Sequence, residues 1–453
     1  MINENDTNQP RVIRKLGTFT ATNIVVANMV GTGIFTTSGI MAEHLSGPGW
    51  ILLCWIFGGL IAISGALCYA ELATRMPEEG GEYLYLKKLL HPIFGFLTGW
   101  TSLFVGFSAP IAAASLSFSE YIFAGLNIQT TTGDISSLIL YKKITAIFII
   151  TGFTMIHYLG IRLGAGVQNV LTVIKIIIIA GLAVLGISSA ESNLPIYTFS
   201  GYQETSLMGI GVAMMLVMFS FSGWNASAYI AGELKEPKKS LPRSLISGTI
   251  IVILLYFSLN IFILKSLTFE EIAGVIPIVE VAAVKIFGSW IGDLLGLLIG
   301  IALLSSLSAF ILIGPRVYYA MARDGLFFRF ASRVHPRHKV PGRSILIQGL
   351  IAVFLVSVGN FEQLIIYISF ALSIFTWLAV ISIFVARRRN VGETLAVKVI
   401  GYPYVPLFFL GTTLILMIIT YLNQPFESTA AILTVSAGIP FYYLWIKSRK
   451  YSN

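Results

Sequence analysis

The feature that most constrains this chain is the recurrence, from one end to the other, of apolar runs of about 20 residues, the length that an α-helix needs to cross a bilayer. Charged residues make up only 11% of the 453 residues, whereas a typical soluble domain carries about 25%. Too little polar surface remains for a soluble enzyme or for a large domain outside the membrane. The sequence therefore predicts a polytopic α-helical protein embedded in a lipid bilayer.

Hydropathy, interpreted together with glycine, proline and charge positions, predicts twelve membrane-spanning helices. Their approximate ranges are 18–43, 49–76, 93–126, 139–159, 164–187, 206–233, 241–266, 289–325, 343–359, 361–386, 404–421 and 428–447. The stretch 268–286 contains three glutamates and a lysine. It is too polar to span a bilayer, so we predict a short helix there that lies outside the membrane.

The positions of the basic residues predict the orientation of the chain. With the N-terminus placed in the cytoplasm, 25 of the 30 lysines and arginines fall on the inner side and four on the outer side. The remaining one, Lys175, lies within a span. Cytoplasmic loops of membrane proteins are enriched in Lys and Arg, so both termini are predicted to be cytoplasmic. The net charge of +9 reflects this orientation, and no nucleic-acid partner is predicted.

The first and the sixth predicted spans are interrupted by glycine and small polar residues. The first contains Gly31-Thr32-Gly33 and the sixth contains Ser222-Gly223. Glycine weakens a helix interior by about 1 kcal/mol relative to alanine. Breaks five helices apart are typical of transporters built from two inverted repeats, with the binding site between them. The alternative is that these glycines only permit close helix packing, but the polar Thr32 would then be poorly placed against lipid.

The repeat hypothesis sets the expected domain boundaries. They are a cytoplasmic tail at 1–17, a first repeat at 18–187, an inverted second repeat at 206–386, two further spans at 404–447 and a cytoplasmic tail at 448–453. The predicted fold class is accordingly an all-α membrane protein with a five-plus-five inverted repeat and discontinuous first and sixth helices.

A helix broken inside the membrane exposes amides at the start of one half-helix and carbonyls at the end of the other. The amides, at the positive end of the helix dipole, suit a carboxylate, and the carbonyls suit an ammonium group. An α-amino acid carries both groups. The chemistry therefore favours amino-acid transport, with an organic acid or an amine as alternatives.

Seven short motifs occur in a fixed order along the first nine predicted spans. They are VGTGIF at 30–35, YAEL at 69–72, GGEY at 80–83, FSGWN at 221–225, GEL at 232–234, GPR at 314–316 and RDG at 323–325. The set resembles the amino acid–polyamine–organocation superfamily, and within it the L-amino acid transporter branch. The resemblance implies a LeuT-type fold in which helices 1 and 6 hold the substrate.

By position in these motifs, the resemblance implies a substrate site formed by Met29, Val30, Gly31, Thr32, Gly33, Phe219, Ser220, Ser222 and Asn225. The amides around Thr32 and Gly33 would take the carboxylate. Carbonyls of Met29 or Val30, Phe219 and Ser222 would take the amino group. Phe219 corresponds to an aromatic gate above the substrate, although an ordinary core or lipid-facing aromatic is the alternative. Asn225 corresponds to a polar group that steadies the helix 6 break.

Lys175 lies mid-span in the apolar sequence VLTVIKIIII at 170–179. An ionisable residue at that depth is costly and is a candidate functional group by default. The segment also resembles family members in which a lysine ammonium occupies the place of a coupling sodium ion. That resemblance implies contacts with helix 1 near Gly31 and with helix 8 near Ser305, Ser306 or Ser308. The alternative is a permanently charged structural pin between the same helices.

Glu71 and Glu233 lie near the cytoplasmic ends of the second and sixth spans. They form either an inner gate, with Arg75 and the lysines at 235–239, or ordinary solvated charges. No acidic residue lies next to either helix interruption, which favours small or medium neutral L-amino acids over arginine or polyamines. The five histidines lack metal-ligand spacing, so no metal and no other cofactor is predicted.

These observations predict a permease, not an enzyme, that moves L-amino acids by alternating access without sodium, with Lys175 in place of the coupling cation. Proton-coupled symport and amino-acid exchange both stay open, with protons as a candidate co-substrate. An intramembrane hydrolase is the alternative from another class, but the chain has no G-x-S-x-G or H-E-x-x-H motif.

Eukaryotic members of the branch pair with a glycoprotein through a cysteine in the loop after the third span. Residues 127–138 contain no cysteine, so no covalent heavy-chain partner is expected. We predict a stand-alone, multi-pass permease in the cytoplasmic membrane of a prokaryote.

Overall fold

The computed structural model describes residues 14–126, 135–189, 196–199, 205–275, 277–358, 361–392 and 397–450. Across these ranges the chain is helical, apart from turns and one isolated β-bridge between Leu16 and Leu234. The α-helices are α1 Thr18–Met29, α2 Gly33–Ala42, α3 Pro48–Arg75, α4 Glu82–Leu89, α5 Pro92–Thr101, α6 Ser108–Gly125, α7 Ile135–Tyr158, α8 Ile161–Ser189, α9 Leu207–Ser220, α10 Pro237–Ser266, α11 Phe269–Ile272, α12 Ile278–Phe287, α13 Trp290–Arg323, α14 Gly342–Val358, α15 Phe361–Arg388, α16 Tyr404–Asn423 and α17 Pro425–Lys450. A π-helical turn covers Ser102–Gly106, and 3-10 helices cover Ala226–Glu233 and Arg329–Ser332.

Ten helical segments of the described residues are long and apolar enough to cross a membrane. Each coincides with a predicted span, so the prediction of an all-α, multi-pass membrane protein is confirmed. The two other predicted spans, 206–233 and 343–359, coincide with shorter apolar helices, Leu207–Ser220 and Gly342–Ser357. The total of twelve spans therefore stays a prediction.

The polar stretch after α10 differs from its prediction. It forms two short helices, α11 and α12, instead of one. Between them Gly274 adopts a φ of 75°, a conformation that favours glycine, and its N–H donates to the carbonyl of Gly39 over 3.0 Å. Pro277 then precedes the first residue of α12. The prediction of one helix is wrong because the chain turns at Gly274 to contact α2.

Two long helices, α10 and α13, pack closely against four others in the interior of the protein. α13 packs along α6 and α8, and α10 packs along α3 and α1. Small residues permit these approaches, as is usual between helices in membranes. On α10, for example, a β-carbon at Gly248 would lie 2.7 Å from side-chain atoms of Val25 on α1. α1 is thereby held between α10, α8 and α13.

Some predicted features lie outside the described residues. These are residues 1–13 of the predicted tail at 1–17, residues 127–134 of the loop after the third span and residues 451–453 of the predicted tail at 448–453. The last residues of the first tail are described. There the backbone N–H groups of Lys15 and Leu16 donate to the carbonyl of Glu233 over 2.9 and 3.0 Å.

Replacing Gly39 by alanine is expected to destabilise the protein, because a β-carbon at this position would overlap the backbone carbonyl of Val275. A backbone atom cannot rotate away, so the expected cost is about 1–3 kcal/mol, as for an overpacked core. The measurement is the apparent unfolding temperature of the detergent-purified protein.

The matched control is Gly152→Ala in α7, where an added β-carbon meets nothing within 4 Å. Alanine favours a helix over glycine by about 1 kcal/mol, so this variant should be neutral or slightly stabilised. Equal unfolding temperatures for the two variants would contradict the packing described for α2.

Candidate functional site

The two interrupted helices surround one cavity. The cavity measures about 160 Å³, comparable to engineered protein cavities that accept a benzene-sized molecule. Its wall contains eight of the nine residues predicted to bind substrate: Met29, Gly31, Thr32, Gly33, Phe219, Ser220, Ser222 and Asn225. Two segments that are far apart in the sequence thus meet at one small space in the interior.

The first interruption separates α1 from α2. Val30 leaves helical geometry with a ψ of 89°, and α2 begins three residues later at Gly33. A β-carbon at Gly33 would lie 3.1 Å from the backbone Cα of Ser220, so glycine permits the close approach of the two broken helices. The first amides of α2 have no carbonyl partner within their own helix, and they begin at the cavity wall.

The second interruption follows α9, which ends at Ser220. Residues 221–225 form turns, and a 3-10 helix continues at Ala226. Gly223 adopts a φ of 96°, and a β-carbon there would lie 2.9 Å from Cβ and 3.0 Å from the carbonyl oxygen of Asn28. Both its backbone conformation and its contact with α1 therefore require glycine.

Tyr256 on α10 joins the two breaks and was not identified from the sequence. Its hydroxyl lies 2.7 Å from the carbonyl oxygen of Met29 and 2.9 Å from that of Ser220. These carbonyls belong to the last residues of α1 and α9, where helices leave carbonyls without partners. The sequence signal is weak, because Tyr256 is one of 19 tyrosines and no local motif marks it.

The Lys175 ammonium group is fully buried next to the first break. Its Nζ donates to the carbonyl of Val30 over 2.5 Å, to the carbonyl of Ala27 over 3.3 Å and to Oγ of Ser306 over 2.7 Å. Ser306 also donates to the Val30 carbonyl over 2.7 Å. Because that carbonyl already accepts two hydrogen bonds, we assign Val30 to the lysine site instead of to the substrate site.

Of the three serines predicted near Lys175, Ser306 is the one that forms a hydrogen bond with it among the described residues. Ser305 lies 3.1 Å from the hydroxyl of Thr172, and Ser308 lies 2.9 Å from Nε2 of His157. Successive residues on an α-helix point about 100° apart, so one helix face cannot present all three to the same partner. The hydrogen bonds of Ser305 and Ser308 therefore connect α13 to α8 and α7.

A carboxylate that was not identified from the sequence also lies in the cavity wall. Glu82 is the first residue of α4, lines the cavity and is only 2% exposed. Its Oε1 accepts hydrogen bonds of 2.6 Å from both the Tyr69 hydroxyl and the Asn225 amide. No acidic residue lies next to either interruption in the sequence, but Glu82 reaches the cavity wall from a separate element. Its signal in the sequence was the GGEY motif.

The Gly80-Gly81 turn allows Glu82 to reach this position. The two glycines have φ values of 110° and 52°, which favour glycine. A β-carbon at Gly81 would lie 2.7 Å from the ring of Tyr229. The start of α4 can therefore press directly against the 3-10 helix that follows the second break.

Glu71 is fully buried and paired, not solvated. It lies 2.9 Å from a guanidinium nitrogen of Arg75 and 2.6 Å from one of Arg387. It also accepts a 2.9 Å hydrogen bond from the backbone N–H of Val399. Glu71 therefore ties α3 to the end of α15 and to the segment that follows it.

Glu233 is likewise buried, and its partner is not the lysine cluster at 235–239. Its carboxylate forms a two-point ion pair with Arg316 of α13, with N–O distances of 2.8 and 3.1 Å. Its backbone carbonyl accepts the hydrogen bonds from Lys15 and Leu16. The alternative that Glu71 and Glu233 are ordinary solvated charges is wrong.

Comparison with known proteins identifies the family. The amino acid permease family model matches residues 16–445. The chain belongs to the amino acid permease family. This confirms the resemblance to the amino acid–polyamine–organocation superfamily, and it identifies a transporter, not an enzyme, so the intramembrane hydrolase is no longer an alternative. An amino-acid substrate and a membrane setting follow from the same family assignment.

Similar proteins cover almost the whole chain. The serine/threonine exchanger SteT of Bacillus subtilis is 30% identical over 443 residues, 97% of this chain and 98% of that protein. The mouse b(0,+)-type amino acid transporter 1 is 27% identical over 441 residues, 96% of this chain and 88% of that protein. The human Asc-type amino acid transporter 1 is 23% identical over 444 residues, 96% of this chain and 82% of that protein.

Replacing Tyr256 by phenylalanine is expected to lower the stability of the protein by about 1–3 kcal/mol, the usual cost of leaving a buried polar group without a partner. Two helix-end carbonyls would lose their shared donor. The apparent unfolding temperature in detergent is the measurement, and Tyr404→Phe, at a tyrosine that is 78% exposed, is the control. An unchanged unfolding temperature for Tyr256→Phe would show that the hydroxyl does not stabilise the breaks.

Proposed function

We propose that this permease exchanges small or medium neutral L-amino acids across the cytoplasmic membrane of a prokaryote, by alternating access and without sodium. The observation that carries the proposal is the meeting of two helix breaks at one cavity. The cavity size supports a substrate that is small or medium. The family assignment supports an amino acid.

The polarity of the two breaks supports a zwitterion. The N-terminal end of α2, at Thr32 and Gly33, presents free amides and the positive end of a helix dipole to a carboxylate. The C-terminal end of α9, at Phe219 and Ser220, presents the negative end to an ammonium group. Phe219 is partly exposed in the cavity wall, as a gate above the substrate would be. In this proposal Asn225 steadies the second break.

Lys175 supports transport without sodium. Its ammonium group binds the Val30 carbonyl and the Ser306 hydroxyl, which are oxygen ligands of the kind that a bound metal cation would use. A fixed positive charge there makes an external cation unnecessary. We propose that Lys175 holds the first break against α13 throughout the transport cycle.

Exchange is the mode of transport that we propose. SteT, which the chain matches along its whole length, is named a serine/threonine exchanger. Exchange also agrees with a lysine that keeps its charge, because no sodium ion or proton then has to bind and leave at the lysine site. Proton-coupled symport is the alternative, and the two differ in whether substrate can enter alone.

We further propose that Glu233 acts as an inner gate. Its pair with Arg316 and its bonds to residues 15 and 16 close the end of the sixth helix against α13 and the N-terminal segment. Opening this side would require these bonds to break together. Glu71, paired with Arg387, would act in the same way between α3 and α15.

The proposed architecture is the inverted repeat of 18–187 and 206–386, followed by two further spans, twelve in all. A break in the first span of each half supports it. The distribution of lysine and arginine supports cytoplasmic termini. The absence of cysteine from residues 127–138 supports a permease without a covalent partner.

Proteoliposomes that contain the purified protein should show saturable counterflow of amino acids. Vesicles loaded with unlabelled L-threonine are expected to accumulate labelled L-serine, and empty vesicles should take up little, because an exchanger needs internal substrate. Replacing external sodium by choline should leave the rate unchanged. Uptake that requires a sodium gradient would contradict the role proposed for Lys175. Uptake into empty vesicles driven by a proton gradient would favour symport.

Replacing Lys175 by glutamine is expected to slow counterflow by about 10-fold or more, because hydrogen bonds from a charged group are worth about 1.5–3 kcal/mol. The control is Lys285→Gln, at an ion pair with Glu271 in which both side chains are 44% exposed. Exposed pairs contribute under about 1 kcal/mol, so this variant should retain its rate. Normal exchange by Lys175→Gln would overturn the assignment.

A further inference from the structure

Glu82 is a buried carboxylate that the proposed transport mechanism does not use. It stands at the start of α4, outside the ten candidate spans, yet its side chain forms part of the cavity wall. Among the described residues, no lysine or arginine forms an ion pair with it. A buried carboxylate without a cation is costly, so this one requires an explanation.

Neutral hydrogen-bond donors surround the carboxylate. Tyr69 of α3 and Asn225 of the second break both donate to Oε1 over 2.6 Å. The Asn225 amide also lies 3.4 Å from the hydroxyl of Tyr229. The Tyr69 ring in turn packs edge-on against Trp224, with ring centroids 4.8 Å apart. Glu82 is thus bonded directly to Asn225, the last residue of the second break.

Tyrosines, not cations, face Glu82 from the elements packed around it. They are Tyr69, Tyr85 and Tyr229. α5 carries no charged residue. Among the described residues, the ion pairs on α3, α4, α13, α15, the 3-10 helix and the loop before α4 are Glu71–Arg75, Glu71–Arg387, Glu78–Lys88, Glu79–Arg323, Glu233–Arg316 and Lys87–Asp324. Among the described residues that line the cavity, Glu82 is therefore the carboxyl group whose charge no cation balances.

We propose that Glu82 is a proton-binding site of the cavity, and that an amino acid entering the cavity drives its carboxylate to take up a proton. The proposal rests on the proposed function, because it requires amino-acid binding between the two breaks. The ligand of the new site is the proton itself.

Desolvation supplies the driving force. Burial raises the pKa of the Glu82 carboxyl to about 7, although the hydrogen bonds from Tyr69, Asn225 and Tyr229 oppose the rise. The group is then partly ionised at neutral pH. Glu82 is 2% exposed and lines the cavity, so a substrate that fills the cavity removes the last access of solvent to its side chain, which raises the pKa further and favours the protonated form.

The sign of the pH dependence follows from linkage. If substrate binding favours the protonated carboxyl, then protonation favours substrate binding to the same extent. Affinity should fall as the pH rises through the pKa of the empty site. For a carboxyl that titrates near neutrality, we expect binding about 5- to 10-fold tighter at about pH 6 than at about pH 8.

Isothermal titration calorimetry of L-threonine into the purified protein tests the proposal directly. Titrations in two buffers of different ionisation enthalpy give the number of protons taken up with the substrate. At about pH 7.5 the wild type should take up a substantial fraction of one proton, and near pH 5 uptake should vanish because the carboxyl is already protonated. Binding at about pH 7.5 without proton uptake would overturn the proposal.

Two variants assign the proton to Glu82. Glu82→Gln keeps the size of the side chain but cannot titrate. It should bind L-threonine without proton uptake, and its affinity should be the same at about pH 6 and at about pH 8. Glu82→Asp keeps a carboxyl group and should retain uptake. Glu78→Gln, at a glutamate in the same loop whose side chain is 55% exposed, is the charge-matched control and should behave like the wild type.

The outcomes separate the two proposals. If no L-amino acid binds to the wild type, the proposed function fails and this inference fails with it. If L-threonine binds and Glu82→Gln keeps the wild-type proton uptake, the inference alone fails. Should Glu82→Gln not fold, uptake by Glu82→Asp with a shifted midpoint would support the assignment, and uptake with the wild-type midpoint would oppose it.

Discussion

A peptide group in the interior of a membrane protein must have a hydrogen-bond partner, since no water is available to replace one. A continuous helix satisfies this requirement within itself, but in this chain the helix is interrupted after α1 and again after α9. At both points other parts of the molecule supply the missing partners. Tyr256 serves the ends of α1 and α9, while Lys175 and Ser306 serve Val30. The first backbone N–H groups of α2 lie at the cavity wall, and a substrate can supply their hydrogen-bond partner.

The sequence predicts the two breaks well because their cause is local. Glycines at 31, 33 and 223 weaken the helix wherever the rest of the chain lies, and two of them are also required by close contacts, Gly33 with Ser220 and Gly223 with Asn28. Lys175 is recognisable for a similar reason, because a lone charge in an apolar run is unusual in any fold. Ten of the predicted spans are found for the same kind of reason, since length and apolarity are local properties.

The partners of these groups could not be predicted, because they depend on how distant helices pack. Tyr256 and Glu82 reach the site from other elements. No adjacent residue marks Tyr256, and the GGEY motif marks Glu82 without showing that its carboxylate lies in the cavity wall. Of the serines predicted near Lys175, Ser306 bonds to it, whereas Ser305 and Ser308 bond to other side chains, since the rotation of α13 about its axis is set by tertiary packing and not by its composition. Arg75 was correctly predicted as a partner of Glu71, but the second partner of Glu71 and the partner of Glu233 were missed in the same way. Arg387 lies 316 residues from Glu71, and Arg316 lies 83 residues from Glu233.

The single hydroxyl of Tyr256 has a mechanical consequence. It carries one hydrogen and stands between two carbonyls, so it can donate to only one of them at any instant and must alternate between them. If the ends of α1 and α9 drifted apart by even an ångström or so, one carbonyl would be stranded beyond hydrogen-bond reach in a dry interior. The arrangement therefore penalises independent motion of the two broken helices. The two helices should therefore move as one rigid unit together with α10, which carries Tyr256.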